Sequence, residues 1–427
     1  MNNSDMLRNI TKIAGGTGIS QVIYLCSIPL LTRIYTPEQF ESFSAFNALV
    51  VIFSSIICLR FDIATTIPKN SKEAQIIFRI SAFFSIILSC ILLLIMFVLS
   101  EGVNKYTKLD SSLIVLIPIC VMLNGLYSTC QNYSSRKKYF SLIAKSKIIK
   151  VLFGVIFQLA LGVAGNLGGM IIGHTINSFC GFLYLRKNHS LRIFKDFEIK
   201  RYVSTFKKYS NFPKYSVPES LLNSSSLQVP ILIISSYSIG PQAGYLFLAI
   251  KVLGAPLGLV SNAISQVYLS DAPQKERDNE LAKYTSKIVN YIAYLLIPLI
   301  SLISIVAPFI FTVIFGREWH RAGEIVCLLA PLLSFQALVS PVSMALHVKG
   351  LQKEAFRIQV VGLVLRVGIV LFSAFYHPQY LIEAFAFSGF VFYFFYSYLV
   401  FKCVKLEIYK YIFPTLFFSL IPIIFIA

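Results

Sequence analysis

Charge is what this chain has least of. Only 13% of its 427 residues are Asp, Glu, Lys or Arg, while 56% are hydrophobic; soluble domains carry roughly a quarter charged residues. An ordinary water-soluble fold is thereby excluded. Acids are scarcer still, 19 against 38 Lys and Arg, for a net charge of +19. No CxxC pair occurs. The eight cysteines (Cys26, Cys58, Cys90, Cys120, Cys130, Cys180, Cys327 and Cys403) nearly all lie within or beside apolar runs, as small buried hydrophobes do, so neither a disulfide framework nor a metal site is expected. The five histidines stand singly, which leaves no metal ligand set. The first apolar run is too long for a signal peptide and lacks a small-residue cleavage site, so it reads as a retained helix.

What the chain has in abundance is apolar runs of about 20 residues, the length an α-helix needs to cross a ~30 Å hydrocarbon layer. They fall at about 10–32, 43–66, 76–99, 111–133, 143–163, 166–186, 217–239, 243–268, 287–312, 323–346, 355–376 and 379–401. A short thirteenth stretch, 411–427, closes the chain. The expected fold is an all-α integral membrane protein, without the weak alternation of barrel strands.

Placement of the basic residues separates orientation from nucleic-acid binding. With the N-terminus inside, the inner segments hold about 31 Lys and Arg and the outer ones about five (Arg33, Lys105, Lys108, Arg317 and Arg321), the positive-inside signature of a polytopic protein. No nucleic-acid partner is implied. Six spans precede and six follow the basic segment "RKNHSLRIFKDFEIKRYVSTFKKYSNFPKYS". The division expected is a first lobe at 1–190, a cytoplasmic linker at 191–216, a second lobe at 217–404 and an extra hydrophobic segment at 405–427, the lobes being parallel repeats. In the linker, Phe194, Phe197, Val203 and Phe206 interleave with Lys195, Lys200, Arg201, Lys207 and Lys208, as in an amphipathic helix on the anionic leaflet or in an ordinary basic loop.

Several spans carry a polar stripe at helical spacing: Lys251, Ala255, Gly258, Asn262 and Gln266; Gln359, Gly362, Arg366 and Ser373; Asn47, Ser54 and Asp62; Asn124, Ser128, Gln131 and Ser135. Any one such residue is explained by interhelical hydrogen bonding at about 0.6 kcal/mol. Stripes in both halves point to a shared polar cavity. Lys251 lies ~12 Å from the nearer end of its run, and Arg366 is similarly deep. A central Lys or Arg costs about 2.5–3.5 kcal/mol on the most lenient scale, so both should face the interior. Glu219 and Glu383 are the acids available to neutralise them; otherwise the cavity is net positive and suits an anionic cargo. Arg60 and Asp62, two residues apart near an inner end, point in different directions on a helix. They suit either gating or interface anchoring.

The segments "KKYSNFPKYSVPESLLNSSSLQVPILIISSYSIGPQAGYLFLAIKVLGAPLGLVSNAISQVYL" (207–269), "IFGREWHRAGEIVCLLAPLLSFQALVSPVS" (314–343), "LLTRIYTPEQF" (30–40) and "LRFDIATTIPK" (59–69) resemble Wzx-type O-antigen flippases, the polysaccharide-exporter branch of the MOP superfamily. The family's glycine after the first outer turn is Glu41 here, and the thirteenth stretch exceeds the usual twelve spans. The resemblance implies two six-helix lobes around a central cavity that opens alternately to either side. It also implies translocation of undecaprenyl-pyrophosphate-linked oligosaccharide across the bacterial inner membrane. Lys251 and Arg366 would then attract the headgroup, with Asn262, Gln266, Gln359 and Asn124 along the sugar path and Arg60, Asp62 and Glu219 at a gate. No cofactor is implied beyond coupling to a proton or sodium gradient; the partners would be the lipid-linked oligosaccharide, membrane lipids and other polysaccharide-assembly proteins. An exporter of drugs, capsule repeats, enterobacterial common antigen or a teichoic-type polymer is the closest alternative. A polymerase or ligase would need a large outer loop, and the longest here has about a dozen residues.

Overall fold

Hydrocarbon holds no water to satisfy a backbone amide, so each apolar run must close its hydrogen bonds within itself. The computed structural model describes residues 3–68, 70–187 and 199–425, with side chains described for all of these except 3–14, 105, 106, 266, 269, 270, 347 and 352. Every regular element among them is helical. Nine of these helices are long and apolar enough to cross a membrane. The chain is an all-α, multi-pass membrane protein.

The chain divides into two compact units, Met1–Ser236 and Tyr237–Ala427; residues 217–236 thus group with the first. That unit holds α1 (Asn3–Ile34), α2 (Pro37–Ser54), α3 (Phe61–Ala64), α4 (Ser71–Val98), α5 (Ser100–Thr107), α6 (Ser111–Ile114), α7 (Leu116–Arg136), α8 (Phe140–Val163), α9 (Gly169–Lys187), α10 (Ile199–Lys208) and α11 (Val217–Tyr237). Local chemistry sets the ends. Pro37 opens α2, and the Thr36 amide donates to the Gln39 Oε1 at 2.9 Å. The Asn70 side chain caps α4 by accepting from the Lys72 amide at 2.9 Å. α8 lies along α1 and α9, and α4 against α7, where Phe78, Leu126, Tyr133, Phe182 and Leu185 form a core.

Two expectations change here. The run 43–66 is not one helix: α2 ends at Ser54, and Leu59 (φ 46°) and Arg60 (φ 61°) both take left-handed backbone before α3 begins. Two consecutive non-glycine residues there cost about 1–2 kcal/mol each, so their surroundings must hold the break. The stripe Asn47–Ser54–Asp62 loses its helical register across it. The described part of the linker, α10, also does not simply lie on a leaflet. Phe206 packs its ring 5.3 Å from Phe61 and 5.9 Å from Phe84, Arg79 donates to the Tyr202 hydroxyl at 3.2 Å, and Lys208 pairs with Glu73 at 2.5 Å. α10 therefore docks on α3 and α4, just below the break. Phe194, Phe197 and Lys195 lie outside the described residues.

The second unit holds α12 (Gln242–Arg277), α13 (Leu281–Tyr291), α14 (Ile297–Phe315), α15 (His320–Val339), α16 (Ala345–Val348), α17 (Gln352–Tyr376), α18 (Leu381–Val404) and α19 (Ile408–Ile424). α15 is its hub, packing on α12, α14, α18 and α19. At Gly323 the approach of α14 is so close that a Cβ would stand 2.5 Å from the Pro308 Cα and 2.8 Å from the Ala307 carbonyl oxygen. α19, at 17 residues and thus ~25 Å, packs on α14 and α15. Two π-helical segments, Phe212–Ser216 and Ile292–Leu296, each end two residues before a proline, Pro218 and Pro298. Proline brings no N–H and crowds the carbonyl four residues back, and a local π turn relieves both.

Glu41, which stands where the sequence resemblance implies a glycine, is buried (3% exposed) just before the second run and pairs with Lys108 at 3.2 Å. Burial pushes its carboxyl from 4.5 up to about 7; the charge and hydrogen bond of Lys108 pull the other way, and Glu38 adds to the rise. A carboxyl whose folded pKa exceeds its unfolded one contributes stability in full below about pH 4.5 and loses it as the pH rises through about 7. The thermal midpoint of the detergent-solubilised protein should therefore fall between pH 5 and 8, and Glu41→Gln should flatten that part of the curve. An equally steep curve in the variant would show that another group is responsible. Gly323→Ala should cost about 1–3 kcal/mol by overpacking against backbone, whereas Gly368→Ala, inside α17 with nothing within 4 Å of the new methyl, should not lower the midpoint and should tend to raise it, alanine being the better helix former.

Candidate functional site

Polar side chains in the first unit converge on one face of α7. Asp62 is 7% exposed and accepts from the Ser128 hydroxyl at 2.7 Å and the Asn132 amide at 3.4 Å. Two turns away, the Asn124 Oδ1 accepts from the Ser178 hydroxyl at 2.9 Å and from the Lys150 ammonium at 3.4 Å. Asn124, Ser128 and Asn132 recur every four residues, so one stripe of α7 carries an acid-binding end and a cation-binding end ~12 Å apart. Lys150 also stands 4.6 Å over the Tyr127 ring, and Gly181 of α9 leaves it room: a Cβ there would lie 3.2 Å from the Lys150 Cδ. Lys147, one turn earlier on α8, donates to the Thr17 hydroxyl at 2.9 Å.

Two cations of the first unit thus stand one turn apart on the same helix. Both lie inside α8, and Lys150 is ten residues from its start, ~15 Å along the axis. Among the described residues neither pairs with a carboxylate; their partners are neutral oxygens and a ring. An ammonium held this way in low dielectric keeps most of its attraction for an incoming anion. Neither Lys147, Lys150, Asn132 nor Ser178 stands among the residues expected from sequence. The lysines look like an extension of the basic loop at 136–138, although their spacing of three inside "SLIAKSKIIKVLFGVIF" marks a helical face.

In the second unit the expected cations prove different from each other. Lys251 is half-buried, 5.1 Å over the Phe247 ring on its own helix, with no carboxylate partner among the described residues. Arg366 is 6% exposed, and its guanidinium lies 4.1 Å over the Phe392 ring and 4.9 Å over that of Tyr393. Gly362, one turn earlier, admits Phe392, whose ring would come within 2.3 Å of a Cβ there. Arg366 thus turns toward α18, while the helix of Lys251 packs chiefly on α15. No contact among the described residues joins the two cations. Glu383 is not their counter-ion either: it pairs with Arg321 at 3.5 Å. Glu219 is exposed and makes no ion pair among the described residues.

Of the remaining expected residues, Asn262 is exposed and Gln359 half-buried, and neither makes a hydrogen bond among the described residues. The side chain of Gln266 lies outside them. Arg60 sits at the left-handed break, and Asp62, in the short α3 after it, binds the α7 stripe, so they do not lie on one continuous helix from α2. No group of three His, Cys, Asp or Glu that could hold a metal occurs among the described residues.

Among solved structures, the chain is similar to the lipid II flippase MurJ in an inward closed conformation (15% identity, 97% of each chain, TM-score 0.74). It is similar also to a MOP superfamily transporter from Pyrococcus furiosus (13% identity, 93% of this chain and 95% of that one, TM-score 0.60). A MATE protein in complex with MaL6 follows (12% identity, 94% and 97%, TM-score 0.58). At these identities the likeness is one of fold. Among curated protein sequences there is no match. Residues 30–324, more than half of the chain, match the family described as polysaccharide biosynthesis protein, and the chain belongs to that family.

Proposed function

We propose that the protein moves a lipid-linked oligosaccharide from the cytoplasmic to the periplasmic leaflet of the bacterial inner membrane, an undecaprenyl-pyrophosphate-linked O-antigen repeat unit being the substrate. The observation that carries this reading is the pair Lys147 and Lys150, cations inside a membrane helix whose partners among the described residues are neutral. A pyrophosphate supplies the missing negative charge, and the amides and hydroxyls of the α7 stripe suit sugar hydroxyls. Family membership supports polysaccharide assembly as the setting, and the fold shared with a protein named as a lipid II flippase supports transport of a lipid-borne cargo. The excess of basic residues on one set of loops supports an N-terminus in the cytoplasm.

In this reading access to the polar path alternates between the two sides of the membrane; Lys147 and Lys150 in the first unit and Lys251 in the second draw in the headgroup, and Asn124 and Asn262 meet the sugar. Gln359 and Gln266 extend the path. Arg60, Asp62 and Glu219 belong to the gating apparatus, since the break at Leu59–Arg60 is the point where a helix can change direction. Coupling to a proton or sodium gradient drives the cycle. Arg366 acts differently from the sequence expectation: it fastens α17 to α18 through two aromatic faces.

Deleting the gene in its host should abolish surface O-antigen and leave lipid-linked repeat units on the cytoplasmic side. Unchanged surface glycan in a strain with no second flippase would refute the proposal. In complementation of that deletion, Lys150→Ala and Lys251→Ala should each reduce surface glycan at least about tenfold at normal expression, the loss that ~1.4 kcal/mol of binding corresponds to. Arg366→Ala should instead lower the thermal midpoint, by about 0.5–2 kcal/mol of cation–π contact. If Arg366→Ala lost transport with an unchanged midpoint, the assignment of Arg366 would be reversed.

A further inference from the structure

A cavity of about 510 Å³ lies in the second unit, lined by Lys287, Asn290, Tyr291, Tyr294 and Leu295, within the ~300–1,000 Å³ range of small-molecule sites. These residues form one face of the continuous helix made by α13, the π segment Ile292–Leu296 and α14. The π segment widens the helix where the cavity forms. α19 is fastened beside it: the Tyr294 hydroxyl donates to the Lys410 carbonyl at 3.2 Å, and the Ser286 and Tyr411 hydroxyls meet at 2.7 Å.

The order of chemistry along this face identifies the class of ligand. It begins with an exposed ammonium and an amide, Lys287 and Asn290, neither of which makes a hydrogen bond or ion pair among the described residues. It continues with exposed tyrosines, Tyr291 at 63%, and then becomes purely apolar with Leu295 at 71%. Beyond the cavity, Leu299, Leu302 and Phe309 stay exposed along the same helix. A cationic head, an amphipathic aromatic level and an apolar track repeat the profile of one bilayer leaflet. A free phosphate would use only the first of these levels, and an acyl-chain amphiphile uses all three.

We infer that this cavity is a binding site for an anionic glycerophospholipid of the surrounding leaflet, its phosphate on Lys287 and Asn290 and an acyl chain on Leu295 and the track above it. Basic pockets at the membrane boundary take such headgroups through charge, and the tyrosines fix their depth. The site is built from residues of the second unit alone, whereas the α7 stripe belongs to the first, and it does not depend on the transported cargo. The bound lipid brings negative charge beside the α19 junction and holds that helix end in place.

Native mass spectrometry of the full-length protein, released from detergent in the presence of phosphatidylglycerol, phosphatidylcholine or undecaprenyl phosphate, tests this directly. The wild type should retain phosphatidylglycerol about fivefold more than phosphatidylcholine, the ratio one lysine near an anionic surface supplies. Lys287→Ala should reduce that preference to near unity, and Lys287→Arg should preserve it. Pro298→Ala, which removes the reason for the π turn, should weaken retention of phosphatidylglycerol while Lys287 is intact. Equal retention of the two phospholipids by the wild type, or an unchanged preference in Lys287→Ala, would overturn the inference. So would stronger Lys287-dependent retention of undecaprenyl phosphate than of phosphatidylglycerol, since the site would then belong to the transported lipid.

Discussion

An ammonium group half-buried in a hydrocarbon-spanning helix must be given something, and in the first unit Lys150 is given an amide oxygen, an aromatic face and the space left by a glycine. None of these cancels its charge. Much of the surrounding arrangement serves this one constraint: Ser178 orients the Asn124 amide that accepts from Lys150, and Tyr127, which lies beneath the ammonium, is itself tied by its hydroxyl to Ser146 at 3.1 Å. A carboxylate placed here would stabilise the lysine and abolish its reach toward an outside anion. Asp62 of α3, the acid held by the other end of the stripe, is kept two turns away along α7 and is supplied with neutral donors of its own.

The same economy governs the irregular backbone. Helices in lipid tolerate breaks only where neighbours or side chains satisfy the freed groups. At the break after α2 the Ser55 carbonyl receives the Ser220 hydroxyl at 3.3 Å, and the aromatic cluster of Phe61, Phe84 and Phe206 holds the following turn. Where prolines interrupt α11 and α14 at their starts, π turns absorb the strain, and one of them shapes the cavity assigned to a membrane lipid. Departures from a regular helix thus fall beside polar or amphipathic groups rather than at random along the spans.

The helical, multi-pass character was legible because it depends on composition and run length, which any 20-residue window reports. That Lys251 and Arg366 fall well inside candidate spans was legible, because position is counted along one helix. Direction was not: Arg366 is turned by Phe392 and Tyr393 of another helix, and no spacing within its own run carries that information. The break at Leu59–Arg60 escaped because hydropathy continues undisturbed through residues whose backbone is left-handed. Lys147 and Lys150 were hidden by their neighbours, since positive charge near Arg136 is read as a loop before it is read as a helix face. Glu41 stands out where the sequence resemblance implies a glycine, but its partner Lys108, 67 residues away, is supplied only by the fold.

The central claim is that Lys150 provides uncompensated charge for an anionic, lipid-borne cargo. The most direct measurement is translocation of a fluorescent undecaprenyl-pyrophosphate oligosaccharide in proteoliposomes containing the purified protein, comparing wild type with Lys150→Gln at matched thermal midpoints. The account predicts rapid movement by the wild type and a loss of about tenfold or more in the variant, since a glutamine keeps the hydrogen bonding and removes the charge. Equal rates for the two proteins would contradict it.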